Sequence, residues 1–99
     1  MAAILFIGDE VSAAAWRLIG VRVSIPPSGQ EERIVGEALA GSCELLLLSA
    51  SSARLISKSL MERFSTSIHP LTLVVPDATG RVMPPDLAGI IRARLGMAS

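Results

Sequence analysis

Apolar and polar positions follow two different rhythms along this chain. Ala3-Ile4-Leu5-Phe6-Ile7 is an unbroken apolar run of strand length that stops at Gly8. From Asp9 the spacing changes. Val11, Ala14, Leu18 and, on the flank, Ile19 recur at helical intervals, which predicts a helix over 10–19 with that stripe toward the core. Asp9 is placed to cap it, accepting from amides the first turn leaves unpaired. Gly20 is placed to end it, because glycine takes the left-handed conformation a helix stop favours. Val21-Arg22-Val23-Ser24-Ile25 then alternates apolar with polar, the mark of a half-exposed strand, and Pro26 and Pro27 close it. Ser28 followed by Glu31 has the spacing of a capping box, predicting a helix over 30–40 with Ile34, Val35, Ala38 and Leu39 on one side and Gly41 at its end.

The most apolar stretch comes next. Residues 43–48 contain four leucines in succession, and a run that does not alternate predicts a strand covered on both faces. A serine-rich turn over 49–52, in which Ser51 and Ser52 are candidate caps, leads into a helix expected to reach Phe64 with Leu55, Ile56, Leu60 and Phe64 as apolar members. Pro70 marks the next boundary. Residues 71–75 read as a fourth strand closed by Pro76, and a turn-rich loop over 76–81 precedes a last helix over 85–95 carrying Leu87, Ile90, Ile91 and Leu95. Four strands alternating with four helices over short connections predict one α/β domain spanning residues 1–99. Right-handed crossovers make it a doubly wound parallel sheet with helices on both faces. The two continuous runs belong in the centre and the alternating strand at an edge. The expected order is therefore 2-1-3-4, flavodoxin-like.

Composition narrows the function classes. Nine basic and nine acidic residues cancel, and no run of like charge occurs. Phosphate backbones need clustered positive charge, so nucleic acid is not an expected partner. With two phenylalanines and one tryptophan a base-stacking platform is not expected either. Cys43 is the only cysteine and His69 the only histidine, which leaves no intramolecular disulfide and no structural zinc site. The apolar share of 51% and mean hydropathy of +0.55 are high for a chain without a membrane-length apolar run. No charged segment of signal-peptide type precedes the first strand, and no direct membrane insertion is expected. The surplus apolar surface has to be buried, part of it against another protein.

In a doubly wound sheet, ligands bind beyond the carboxyl ends of the strands where the winding reverses. Here that crevice would be lined by Gly8, Asp9 and Glu10 on one side and Ser49, Ser51 and Ser52 on the other. A phosphoryl-accepting receiver needs an aspartate where Ser49 stands, and a lysine after a later strand, whereas the sole lysine, Lys58, lies within a predicted helix. A flavin phosphate would meet the acidic Asp9 and Glu10 at a helix start that should instead be anion-friendly. Serine catalysis fails on placement, because His69 precedes the fourth strand and belongs at the opposite end of the sheet. Asp9 and Glu10 with the serine hydroxyls could hold a divalent cation, with helix capping the plainer account. Cys43, at a strand start, reads as an inert buried residue. Neither an enzymatic activity nor a cofactor is expected.

Two segments carry a family resemblance. Phe6-Ile7-Gly8-Asp9-Glu10, followed by Ala15-Trp16-Arg17-Leu18-Ile19-Gly20-Val21, resembles the opening of the F subunits of V/A-type ATP synthases: a strand, a Gly-Asp pair, then an aromatic-Arg-Leu-Ala-Gly helix end in which Ile19 here replaces alanine. Residues 71–76 and 90–96 resemble that family's fourth strand and final helix. The resemblance implies a flavodoxin-like, non-catalytic subunit of the rotating central stalk, where F subunits dock on the coiled-coil D subunits. It implies a position in the cytoplasm, peripheral to the membrane, with ATP turnover in the A and B subunits of the head coupled to ion transport. Trp16 lies about 140° around its helix from Val11, off the expected buried stripe. With Arg17 beside it, it is a candidate partner anchor, the alternative being that it lies along the sheet of its own molecule. Met83, Arg92 and Arg94 are weaker partner-binding candidates. The competing reading is a small flavodoxin-like ligand-binding or signalling domain that uses Asp9, Glu10 and Ser49.

Overall fold

The structure, a computed structural model, describes residues 3–77. The loop beyond Asp77 and the helix expected over 85–95 lie outside the described residues, as do Met83, Arg92 and Arg94. The elements follow the chain as β1 (Ile4–Ile7), α1 (Glu10–Leu18), β2 (Arg22–Ser24), α2 (Glu31–Leu39), β3 (Leu45–Ser49), α3 (Ala50–Ala53), α4 (Lys58–Thr66) and β4 (Leu71–Val75). The strands form one four-stranded, all-parallel sheet in the order β2-β1-β3-β4. This is the doubly wound, flavodoxin-like arrangement that the hydrophobic pattern predicts. Ile4 pairs with Leu45 and Leu45 with Leu71, so β1, β3 and β4 begin level.

Strand periodicity of two sends successive side chains to opposite faces, and it divides the core into two layers. Phe6, Leu45, Leu47 and Val75 pack with Ala13 and Trp16 of α1 and with Val21. Ile7, Leu46 and Leu48 pack on the other face with Val35 of α2 and with Leu60 and Phe64 of α4. The four-leucine run is therefore apolar throughout because each face of β3 needs two of its members, and all four have no exposed surface. β2 and β4 are the edge strands among the described residues, and Arg22 on β2 faces solvent.

Helix ends are set by hydrogen bonds that local sequence supplies. Asp9 Oδ2 accepts from the Ser12 amide at 3.0 Å and starts α1. At its other end the Gly20 amide donates to the Arg17 carbonyl at 3.0 Å and the Val21 amide to that of Trp16 at 3.2 Å. This double closure needs a left-handed residue between, and Gly20 has φ +89°.

Three local expectations are corrected. The Ser28 capping box does not form: Gln30 occupies the cap position without a side-chain bond, while Glu31 Oε1 accepts from the Gly29 amide at 3.0 Å. The cause is a turn closed by the Gln30 amide on the Pro27 carbonyl, with Gly29 at φ +87°, which carries Ser28 away from the helix start. The single helix expected to reach Phe64 is two, because Ser57 caps a fresh start. Its Oγ accepts from the Leu60 amide at 3.1 Å, and Glu32 of α2 takes both its amide and its hydroxyl at 2.7 Å. Leu55, between the two helices, is 62% exposed rather than in the core. Ser49, not Ser51 or Ser52, caps α3, since its Oγ accepts from the Ser52 amide at 3.2 Å.

Candidate functional site

The switch in winding falls between β1 and β3, where Gly8, Asp9 and Glu10 face Ser49 and Ser51. This crevice is packed shut at its floor. A Cβ on Gly8 would sit 2.5 Å from Phe6 Cζ and 2.7 Å from Ser49 Oγ, so the loop passes as close to its neighbours as a glycine permits. Ser49 is fully buried, and its hydroxyl is engaged by the Ser52 amide and lies 3.3 Å from that of Ser51. The Ser51 amide donates to Asp77 Oδ1 at 3.1 Å, which ties the start of α3 to the end of β4. The polar groups that could have met a ligand here are thus largely spent on holding the fold.

Asp9 is the exception. Its Oδ2 caps α1, while Oδ1 is buried without a hydrogen-bond partner, the one such side-chain oxygen among the described residues. Burial pushes its pKa up, but hydrogen bonds from the Ser12 amide and hydroxyl outweigh that and hold the carboxyl below its ordinary value. Asp9 is therefore ionised at neutral pH. Glu10 beside it is exposed, and no group of three histidine, cysteine or acidic side chains able to hold a metal occurs among the described residues. Cys43 is half-buried ahead of β3 rather than fully enclosed, and desolvation raises its thiol above the usual value. His69 is exposed just before β4, at the opposite end of the sheet from the crevice.

The most unusual surface lies on α1. The stripe expected to face the core points outward: Val11 is 55% and Leu18 88% exposed, and Ala14 between them is exposed as well. The buried face is instead Ser12, Ala13 and Trp16. Trp16, 2% exposed, stacks on Phe6 with ring centroids 5.6 Å apart and an interplanar angle of 21°. It lies against the sheet of its own molecule and presents no surface to a partner. Arg17 is exposed and joins Glu10, Val11, Ala14 and Ile25 around an open groove at the β2 edge.

The sequence misassigns this helix because apolar residues occur on all its sides, so two rival faces both satisfy helical spacing. Phe6 decides between them: the large ring of β1 needs small residues and a stacking surface opposite, which Ala13 and Trp16 supply. Val11, Leu18 and Ile25 are exposed residues that the periodicity did not mark as surface candidates. No helix among the described residues is long and apolar enough to cross a membrane. Compared with known protein families and with curated proteins, the chain matches none.

Proposed function

We propose that this chain is a non-catalytic central-stalk component of a V/A-type rotary ATPase, one of the F subunits, and that it docks on the coiled-coil stalk component, one of the D subunits. The observation that carries the reading is the outward apolar face of α1. A charge-balanced small domain that leaves Leu18 and Val11 in water has a surface suited to a protein partner. That face belongs to the same segment, 6–21, that carries the resemblance, and the sheet order 2-1-3-4 is the one the family leads one to expect. On this reading the chain works at the membrane surface without entering it, with the A and B subunits of the head as further candidate partners.

The unpartnered Asp9 Oδ1 favours a second reading, a ligand or cation at the switch crevice. The Gly8–Ser49 closure weighs against it. Co-expression with the coiled-coil stalk protein from the same genome, followed by size-exclusion chromatography with mass determination, separates the two. A stable one-to-one complex supports the stalk assignment. Separate elution at micromolar concentration, with melting raised by Mg²⁺, a nucleotide or a flavin, supports the crevice.

A further inference from the structure

We infer that the break between α3 and α4 is a latched hinge: the Glu32 carboxylate of α2 holds residues 54–57 bent, and without it α3 and α4 join into one helix.

Nothing in the local sequence calls for a break there. Neither glycine nor proline, the usual causes of a sharp helix kink, occurs from Ala50 to Thr66. Ala53, Ile56, Leu60 and Phe64 recur at i, i+3, i+7 and i+11, one stripe of a continuous helix, and all four already pack on the core layer formed with Val35, Leu46 and Leu48. The backbone is close to helical on both sides of the bend. Arg54 has φ −74° and ψ −11°. Ser57 has φ −69° and ψ 159°, so its φ suits a helix and its ψ alone is extended.

The Ser57 amide decides between the two forms, because it has two acceptors to choose from. In a continuous helix it would donate to the Ala53 carbonyl, four residues back. Here it donates to Glu32 Oε1 at 2.7 Å, and the Ser57 hydroxyl donates to Oε2 at 2.7 Å. The same hydroxyl oxygen accepts from the Leu60 amide at 3.1 Å, which turns the bend into the start of α4. A carboxylate is a stronger acceptor than a neutral carbonyl, and this one takes two bonds from a single residue, so the bent form wins while Glu32 is in place. Leu55, on the turn itself, is 62% exposed, so little packing holds the bend from its other side. Glu32 and Ser57 both lie at the surface, and the latch is therefore released without opening the core.

The test is the full chain carrying Glu32→Ala, read by NMR backbone chemical shifts and by limited trypsin digestion. Shifts of residues 54–57 are expected to move to helical values, and cleavage after Arg54 to slow at least severalfold, since trypsin needs an extended site. Ser57→Ala, which removes the cap and the hydroxyl bond, is expected to move the same residues in the same direction. Glu62→Ala, which removes an exposed acid of α4, is expected to leave them as in the wild type. Unchanged shifts in both Glu32→Ala and Ser57→Ala would show a bend set by packing and overturn the inference. Shifts that move toward coil values, with faster cleavage after Arg54, would show that Glu32 orders the segment without opposing a straight helix, and would overturn it too. An equal change in Glu62→Ala would make the effect one of charge alone, with the same consequence.

Discussion

Trp16 and Leu18 are two residues apart on one helix, both large and apolar, and the structure gives them opposite roles. Trp16 is 2% exposed and stacked on Phe6, while Leu18 is 88% exposed. Truncating a buried tryptophan to alanine removes its transfer energy and leaves a cavity, together costing about 3–5 kcal/mol; the ring stack is about 0.5–1.5 kcal/mol of that. Truncating Leu18 removes almost no buried surface and should stay within about 0.5 kcal/mol of neutral. In a domain of this size each kcal/mol shifts the melting temperature by about 4–8 °C, so Trp16→Ala should melt at least about 12 °C lower. Leu18→Ala should melt within a few degrees of the parent. Because Trp16 is the only tryptophan, unfolding is followed by circular dichroism in urea and on heating. Should Trp16→Ala fail to fold, Trp16→Phe retains a ring against Phe6 and gives a measurable, smaller loss. Equal costs at the two positions, or a larger cost at Leu18, would refute the assignment of inward and outward faces.

The glycines make a second contrast. Gly8→Ala forces a methyl group into Phe6 and Ser49 and should cost about 1–3 kcal/mol in urea unfolding, whereas Gly36→Ala, in an open stretch of α2, should stabilise by about 0.5–1 kcal/mol; similar effects from both would contradict the close approach at Gly8. Asp9 and Glu32 both titrate below their ordinary values of 3.8 and 4.5, Asp9 against its burial through the Ser12 bonds and Glu32 chiefly through Ser57. Depressed carboxylates contribute stability that is present above those values and lost as pH falls through the folded ones, so stability should decline from about pH 4.5 downward. The double variant Asp9→Asn, Glu32→Gln should show a shallower acid limb, and an unchanged one would remove these two groups from the account. Because burial raises the Cys43 thiol, its reaction with a disulfide reagent at pH 8 should run slower than that of free cysteine; an equal or faster rate would contradict its half-buried placement.

How much of this was legible in the sequence depended on whether one physical requirement acted at a time. β1 and β3 were readable because strands covered on both faces have no choice but to be apolar. β4 and the Gly20 stop were readable because proline fixes the backbone and glycine alone takes the left-handed conformation freely. α1 was not, since Val11, Ala14 and Leu18 and the rival set Ser12, Ala13 and Trp16 both satisfy helical spacing, and only the Phe6 ring in three dimensions chooses. The break after α3 escaped for a similar reason. Serine is common at caps and turns alike, and the bonds that make Ser57 a helix start come from Glu32, 25 residues away. In the candidate site, the acidic start of α1 was evident, but the closure at Gly8 and Ser49 depends on how near two loops approach, which spacing does not record.

On the proposed stalk reading, the domain binds a coiled coil through apolar surface. Calorimetric titration of the chain with that partner at several temperatures tests it most directly. The expected result is a stoichiometry of one and a negative heat-capacity change, the sign of apolar surface leaving water, diminished in Leu18→Glu. Absence of binding at micromolar concentration, or binding with no heat-capacity change, would contradict it.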